Sequence, residues 1–588
     1  MNYELNNLEN NNKQSAWQAV RSLSPLIESE KGTLIIAIVA TFTNVAIMLT
    51  APLIIAHVLD TYILKMQFSG VLTYSLILLG IYAVGLVTSY LQTRLMGGVG
   101  QRILFKLREK IFFKLQELPV AFFNANKTGD LISRINNDTD KLNQFFSQTL
   151  VQLAGSLVTM FGAAIFIVVI NYKLGLAALG PALVVVIFAF VVSSWVKRSN
   201  AESLKTTGGL SAEVAESINN FKVIVAFNRR DFFKERFAVA NEANYIAAVK
   251  AGIANNTLSP VFSFSANAAQ LIVLAYGIYL INSGSFTLGL LVSFLSYVNS
   301  LYSPLRQIAN LWSNFQLALA GWDRISAILQ MQNDMIVLPK SDKFSLSDAR
   351  PVLSFANVSF EYEAGKEILH DINFELFSGK TYALVGPTGG GKSTTASLMA
   401  RLYDPSSGAV ILSGQDIRTY SATERADIIG FILQEPILFS GTVRDNILYG
   451  NTKYQDCSNE ELKTVIKRAG LEKLLDRFAD GLDREVATAS DSLSLGQKQI
   501  ITFIRTVLRE PKLLILDEAT ANIDTVTEEL LEDILDKLPP TTTRVIIAHR
   551  LNTIEHADEI FFINSGSVTK AGSMQDAVAM LQAGKRTS

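Results

Sequence analysis

Two short stretches of this sequence carry residue types and spacings that can do chemistry. The run GPTGGGKS fits G-x-x-x-x-G-K-[ST], a spacing that cradles phosphates, and comprises Gly386, Pro387, Thr388, Gly389, Gly390, Gly391, Lys392 and Ser393, with Thr394 next. Glycines let backbone N–H groups close around β- and γ-phosphates at a helix N-terminus, where the dipole favours anions. Lys392 adds a point charge, and the Ser393 hydroxyl is a hard oxygen ligand for Mg²⁺. Downstream, KLLILDEAT predicts a buried strand over Leu513–Leu516 ending in Asp517 and Glu518. Asp517 suits holding Mg²⁺ through its water shell, and Glu518 suits orienting and polarising an attacking water. A lone loop match is weak. Here TYALV before it reads as a strand and KSTTASLMARLY after it as a helix, and the carboxylate pair follows, so ATP with Mg²⁺ is the expected ligand.

The chain that must position these residues has 588 residues, too many for one core, so at least two domains are expected. Apolar residues make up 49% and charged residues 18%, with most of the apolar excess before about residue 325. A net charge of −1 offers no basic field for nucleic acid. The single cysteine, Cys457, rules out an internal disulfide and fits a reducing cytoplasm. The polar start MNYELNNLENNNKQ lacks the pattern of a cleaved signal.

Six charge-free segments are long enough to cross a bilayer, which takes ~20 helical residues. They are Leu34–Val58, Val71–Thr93, Thr149–Ile170, Leu174–Trp195, Leu258–Ile281 and Leu288–Leu305. Lysine and arginine crowd the two long gaps, 94–148 and 196–257, whereas DTYILKMQFSG, NYK and NSGSFT are short. Positive charge accumulates on the cytoplasmic side, so the long gaps, the N-terminus and the C-terminal half are expected in the cytoplasm. Both long gaps carry helix formers broken by a turn-like stretch, LPVAFFNANKTGD and then GGLSAEVAESINNF, so each span is expected to continue as a helix, turn through a short helix able to press on the second domain, and return. Ala16–Ile27, with Trp17, Val20, Leu23 and Ile27 at helical spacing, reads either as an interfacial helix or as a solvated lead-in helix.

The order of the phosphate loop, the glutamine in FILQEPILFSGTVRDNI, LSLGQ, LILDEAT, ANID and IIAHR resembles the ABC transporter ATPase domain. The fused order, the six spans, and the stretches LPVAFFNANKTGDLISRINNDTDKL and ESINNFKVIVAFNRRDFFKERF resemble its exporter branch, so the likeness runs from about residue 16 to 580. It implies an all-α six-helix transmembrane domain followed by an α/β P-loop ATPase domain. The expected boundaries are 1–30 lead-in, 31–326 membrane domain, 327–350 linker and 351–588 nucleotide-binding domain. It also implies roles: Tyr362 stacks on adenine, Gln434 senses Mg²⁺ and the membrane helices, and Asp524 belongs to the loop after the carboxylates. Ser494, Gly496 and Gln497 form the signature that reaches the γ-phosphate of ATP on the opposite subunit, and His549 is the switch that contacts the γ-phosphate. Catalysis then falls to Glu518, His549 and Gln434, and Mg²⁺ to Ser393, Gln434 and Asp517.

The family works as a pair with two ATP molecules clamped between two ATPase domains, so a second half-transporter is the implied partner, within a cytoplasmic membrane. The signature here is LSLGQ, Leu493–Gln497, where the family usually has LSGGQ. Leucine at 495 adds bulk where glycine allows close approach, while Glu518 and His549 are intact. That combination resembles one subunit of the heterodimeric exporters; the alternative is a homodimer that tolerates leucine. Spans free of ionised side chains suit apolar or amphipathic cargo of a multidrug kind. A lipid flippase with the same engine and an ATP-gated channel or regulator are the rival readings, and these motifs do not fix the direction of transport.

Overall fold

The computed structural model describes residues 3–5, 28–340, 351–475, 478, 481–486, 493–517, 525–547 and 555–584. Ala16–Ile27 therefore lies outside the described residues. The chain divides into two compact units, one of residues 5–116 and 128–331, the other of residues 1–4, 117–127 and 332–588.

The first unit is built from helices long and apolar enough to make six membrane crossings. In chain order the helices are α1 (Lys31–Val58), α2 (Phe68–Glu117), α3 (Val120–Ala125), α4 (Thr128–Ser133), α5 (Thr139–Gln144), α6 (Leu150–Ile170), α7 (Tyr172–Asn219), α8 (Phe221–Ala226), α9 (Arg230–Asn256), α10 (Leu258–Asn282) and α11 (Leu288–Gln330), of which α3 falls in the second unit. Both long gaps are helical extensions: α2 runs on to Glu117 and α7 to Asn219, each followed by a six-residue helix, α3 or α8. The first turn falls in LPVAFFNANKTGD as expected, but GGLSAEVAESINNF is no turn: α7 continues unbroken through it to Asn219, its two glycines held by the helix's own hydrogen bonds. Two connections are tighter than the sequence pattern implied. A π-helical turn, Leu59–Ile63, carries the first crossing through Asp60, and Asn171 alone separates α6 from α7, its side chain accepting from Leu174 N.

Lipid gives helices no hydrophobic reason to associate, so close packing at small residues and interhelical hydrogen bonds must hold the bundle. A Cβ on Gly162 would meet Leu49 Cδ1 at 2.4 Å, and one on Gly277 would meet Leu291 Cδ1 at 2.5 Å. The Tyr297 hydroxyl donates to Leu49 O at 2.5 Å, and the Tyr302 hydroxyl to Ala178 O at 2.9 Å. At the start of α11 the Asp60 carboxylate accepts from Thr287 Oγ1 at 2.6 Å and Gly289 N at 2.8 Å, capping α11 with a group from the first crossing.

Beyond the apolar core of this unit, a charged one takes over. Arg134 is fully buried; its Nε donates to Asp130 Oδ2 at 2.9 Å and its guanidinium to Arg324 O at 2.9 Å. Arg324 in turn pairs with Asp130 at 2.5 Å and Asp138 at 3.2 Å, and Lys141 holds Asp138 at 2.8 Å. The network ties α11 to the returning segment Thr128–Gln144.

The second unit holds an α/β fold. Its six-stranded sheet has the order β12-β11-β3-β10-β9-β6, with β3 (Thr381–Val385), β6 (Ile429–Ile432), β9 (Leu513–Asp517), β10 (Thr543–Ile547), β11 (Glu559–Asn564) and β12 (Ser567–Ala571). Its pairs are parallel except β11 with β12. β3 is buried at every position, as a central parallel strand covered on both faces must be. A smaller antiparallel sheet, β2-β1-β4-β5, joins β1 (Leu353–Glu361), β2 (Glu367–Leu376), β4 (Ser407–Leu412) and β5 (Gln415–Asp416). Phe355, Phe374, Tyr382 and Phe561 knit the two sheets into one core.

Removing Arg134 deletes charge-assisted hydrogen bonds of about 1–3 kcal/mol, while Asp130, partly exposed, keeps Arg324. Arg134→Leu is therefore expected to lower the melting temperature of the detergent-solubilised protein by several degrees, with Arg134→Lys falling between it and the wild type. An unchanged melting temperature in Arg134→Leu would mean the network contributes nothing to holding α11.

Candidate functional site

Strand register fixes where the site must lie. Leu384 on β3 pairs with Ile547 on β10, Ile547 with Asp517 on β9, and Leu516 with Ile432 on β6. The C-terminal ends of these strands are thus level, the edge of an open α/β sheet where ligands bind.

The phosphate loop leaves β3 at that edge and enters helix α12 (Lys392–Met399). Gly386 has φ +155°, and a Cβ there would lie 1.9 Å from Ile563 O on β11. Gly391, the N-cap of α12, has φ +111°, and a Cβ would meet Leu369 Cδ2 at 2.6 Å. Glycine alone satisfies both constraints. Lys392 is buried and donates from Nζ to Gly386 O at 2.9 Å and Pro387 O at 3.0 Å, so its ammonium is held across the mouth of its own loop. Thr388, Gly389, Gly391, Lys392, Ser393, Thr394, Gln434 and Asp517 line one cavity of about 400 Å³. Loop, glutamine and first carboxylate, distant in sequence, meet here. Ser393, Gln434 and Asp517 present a hydroxyl, an amide and a carboxylate oxygen to this cavity, a hard donor set that fits Mg²⁺.

Tyr362 lies just past β1, half exposed, with its hydroxyl donating to Thr394 Oγ1 at 3.2 Å on α12. Burial pushes its phenol up from the ordinary value, so the ring stays neutral near pH 7. Ser494, Gly496 and Gln497 stand together at the N-terminus of another helix, α13 (Leu495–Val507), and not among the residues that line the cavity. Ser494 is its N-cap: Oγ accepts from Gln497 N at 3.2 Å, and Gln497 Oε1 accepts from Ser494 N at 3.1 Å. Leu493 is buried below and Leu495 is 40% exposed. Glu518, Asp524 and His549 lie outside the described residues, which end on their strands at Asp517 and Ile547.

One supporting group escaped the motif reading. Arg505, on α13, donates from Nε to Asn446 O at 2.7 Å and from its terminal nitrogens to Asn446 Oδ1 and Ile437 O, both at 3.1 Å. Its guanidinium lies 5.9 Å from the Phe439 ring centroid and 5.4 Å from that of Tyr449. Desolvation pulls its pKa below the usual arginine value, yet these carbonyls and rings keep the cation satisfied. It ties the signature helix to the segment that follows Gln434. Its only sequence signal is a cation eight residues past Gln497 within the largely apolar stretch ITFIRTV.

Comparison with known proteins agrees with this geometry. Residues 34–305 match the family model described as ABC transporter transmembrane region, and residues 369–521 match that described as ABC transporter. An uncharacterized ABC transporter ATP-binding protein of Bacillus subtilis is 31% identical, with 95% of this chain and 92% of that protein aligned. A multidrug resistance ABC transporter ATP-binding and permease protein of Lactococcus lactis is 29% identical over 93% of this chain and 91% of its own. A fatty acid ABC transporter ATP-binding/permease protein of Mycobacterium bovis is 31% identical over 85% and 78%. Among solved structures, a bacterial Atm1-family ABC exporter with ATP bound superimposes with a TM-score of 0.76 at 26% identity, covering 95% of this chain and 98% of that one. The chain belongs to the ABC transporter family, and within it to the exporters that fuse membrane and ATPase domains. It is a multi-pass membrane protein with a cytoplasmic ATPase domain that couples ATP hydrolysis to transport, and as a half-transporter it works as a dimer.

A methyl group at 386 must displace the Ile563 carbonyl or the loop. Gly386→Ala is expected to raise the dissociation constant for ATP at least tenfold, about 1.4 kcal/mol, while the membrane domain still folds. Wild-type affinity in Gly386→Ala would show that the loop tolerates a shift away from β11.

Proposed function

We propose that this chain exports apolar or amphipathic small molecules as one subunit of a heterodimeric, multidrug-type exporter. The observation that carries the cargo class is a set of neutral polar groups on otherwise apolar spans. Asn267 and Asn299 are exposed, and Gln270 Nε2 donates to Asn299 Oδ1 at 2.6 Å between α10 and α11. Asn299 is eleven residues into α11, and Gln270 twelve from the end of α10, so both lie about 16–18 Å deep, near the bilayer midplane. Lipid is a poor neighbour for exposed amides, so this face suits a cavity or a partner chain. No Asp, Glu, Lys or Arg stands in Leu258–Asn282 or Leu288–Leu305, which favours cargo with hydrogen-bonding groups on an apolar body. The names of two relatives, multidrug resistance and fatty acid, point the same way.

In this reading ATP lies with its adenine on Tyr362 and its phosphates in the Gly386–Ser393 loop. Ser393, Asp517 and Gln434 would hold Mg²⁺, which neutralises charge developing on the phosphates when bound. Glu518 orients the attacking water and His549 contacts the γ-phosphate. Ser494, Gly496 and Gln497 complete the site of the other subunit, consistent with a cavity they do not line. Two apolar patches are left uncovered in the single chain, Ile437, Phe439 and Tyr449 beside Gln434, and Phe221, Val223 and Phe227 at α8. Such patches favour an interface with a second chain. ATP favours the closed pair by binding it more tightly; a shift from 1:99 to 99:1 needs about 10⁴-fold.

The heterodimer rests on Leu495. Purified alone in lipid, the chain is expected to hydrolyse ATP no faster than its Glu518→Gln variant. Robust turnover that Glu518→Gln abolishes would establish a self-sufficient homodimer instead.

A further inference from the structure

Tyr362 belongs to an aromatic trio. Its ring meets Tyr403 edge-on at a centroid distance of 5.1 Å, and Phe360 packs on the two tyrosines at 4.7 and 5.6 Å. The Tyr403 hydroxyl accepts from Asn124 Nδ2 at 2.6 Å, a contact between residues 279 apart in sequence. Asn124 is on α3, the six-residue helix that follows α2. The segment 117–127 clusters with the ATPase fold, although the chain on either side of it belongs to the membrane unit. Phe122 is buried against Tyr3, whose carbonyl accepts from Asn126 Nδ2 at 2.8 Å, and Asn333 Nδ2 donates to Glu117 O at 2.7 Å.

We propose that Tyr403 is a positioning residue that reports adenine occupancy to α3 through its hydrogen bond with Asn124. The inference rests on Tyr362 being the adenine contact. A base stacked on Tyr362 restricts that ring; the edge contact passes the restriction to Tyr403, whose hydroxyl then holds Asn124 in one geometry. Ordering already supplied by one ligand is ordering the next step need not provide, so the cost of fixing α3 falls when adenine is bound. None of the trio lines the cavity at the loop; its one link to that cavity is the Tyr362 hydroxyl on Thr394, a bond at the ring's tip that leaves the ring faces to the base. The link therefore makes the membrane helices answer to a nucleotide and not to any polyphosphate. If Tyr403 merely filled space, its bond to Asn124 would be indifferent to what Tyr362 contacts.

Hydrogen exchange of segment 117–127 in the full-length chain in lipid nanodiscs tests this. Saturating Mg²⁺ with the non-hydrolysable analogue AMP-PNP is expected to slow exchange of the α3 amides at least threefold, and saturating inorganic tripolyphosphate is expected to leave it unchanged. Tyr403→Phe and Asn124→Ala should each lose the slowing while AMP-PNP affinity stays within twofold. Asn124→Asp, whose carboxylate can accept from the Tyr403 hydroxyl, should restore it in the wild-type background but not with Tyr403→Phe. Equal slowing by tripolyphosphate, no slowing by AMP-PNP, or slowing that persists in Tyr403→Phe would overturn the relay. Tyr362→Ala separates the two readings: unchanged AMP-PNP affinity there removes the adenine contact itself, whereas weakened affinity beside any of those three results removes the relay alone.

Discussion

A loop pressed onto a neighbouring strand has no room for a Cβ at its points of contact, and that steric constraint organises the ATPase half of this chain. Gly386 and Gly390 sit so close to Ile563 O that a Cβ would lie 1.9 and 2.7 Å away. The loop is therefore pressed onto β11, and β11 must lie beside β3, from which the loop departs. β10 and β9 follow in register, which brings Asp517 to the cavity that the loop opens. The buried strand β3 is the consequence of needing that level edge, because a sheet covered on both faces has one exposed end at which chemistry can occur.

The membrane half answers to a different solvent. With lipid on the outside, apolarity no longer separates core from surface, and many exposed residues here, Phe190 and Val169 among them, are large and apolar. Specific packing comes from small residues and from hydrogen bonds to carbonyls, as at Gly162, Gly277, Tyr297 and Tyr302. Outside the spans, buried charge takes over that role around Arg134. The same chain thus switches its means of holding helices together where its environment changes from lipid to water.

What could be read from the sequence follows from this division. Spans were legible because charge stops at their ends, and the phosphate loop because its chemistry restricts residue type at each position. The helical run of α2 and α7 beyond the lipid was legible as mixed charge, and the turn before α4 as LPVAFFNANKTGD; the glycine pair at 208–209 suggested a turn that the helix overrides, so α8 was not placed. The continuation of the first crossing through Asp60 was not, because its reason is a bond to Thr287 and Gly289 far along the chain. Tyr403 and Arg505 were missed for the same cause. Each acts through a partner distant in sequence, and neither belongs to a motif with fixed spacing. The clustering of Asp517 and Gln434 with the loop was expected from the motifs and the family resemblance, and strand register is the physical means that brings it about.

Leu495 illustrates how far a departure from a motif can be argued physically. It is the first residue of α13, so its backbone N–H is among those a helix leaves without an internal partner, whichever side chain it bears. Ser494 uses its oxygen as an acceptor for Gln497 N, which leaves the hydroxyl proton to donate elsewhere. Substituting leucine for glycine therefore removes no donor from the signature. What it adds is an isobutyl group, 40% exposed, at the end of a helix whose use would be to approach a phosphate. On the proposed reading any impairment is one of distance: a charge-assisted hydrogen bond needs its heavy atoms within about 3 Å, and a side chain interposed at the tip would hold them apart. In the heterodimer we propose, a site weakened in this way would still bind nucleotide through the partner's loop while lacking the close contact that hydrolysis needs, which would separate binding from turnover at one of the two sites and leave the other intact.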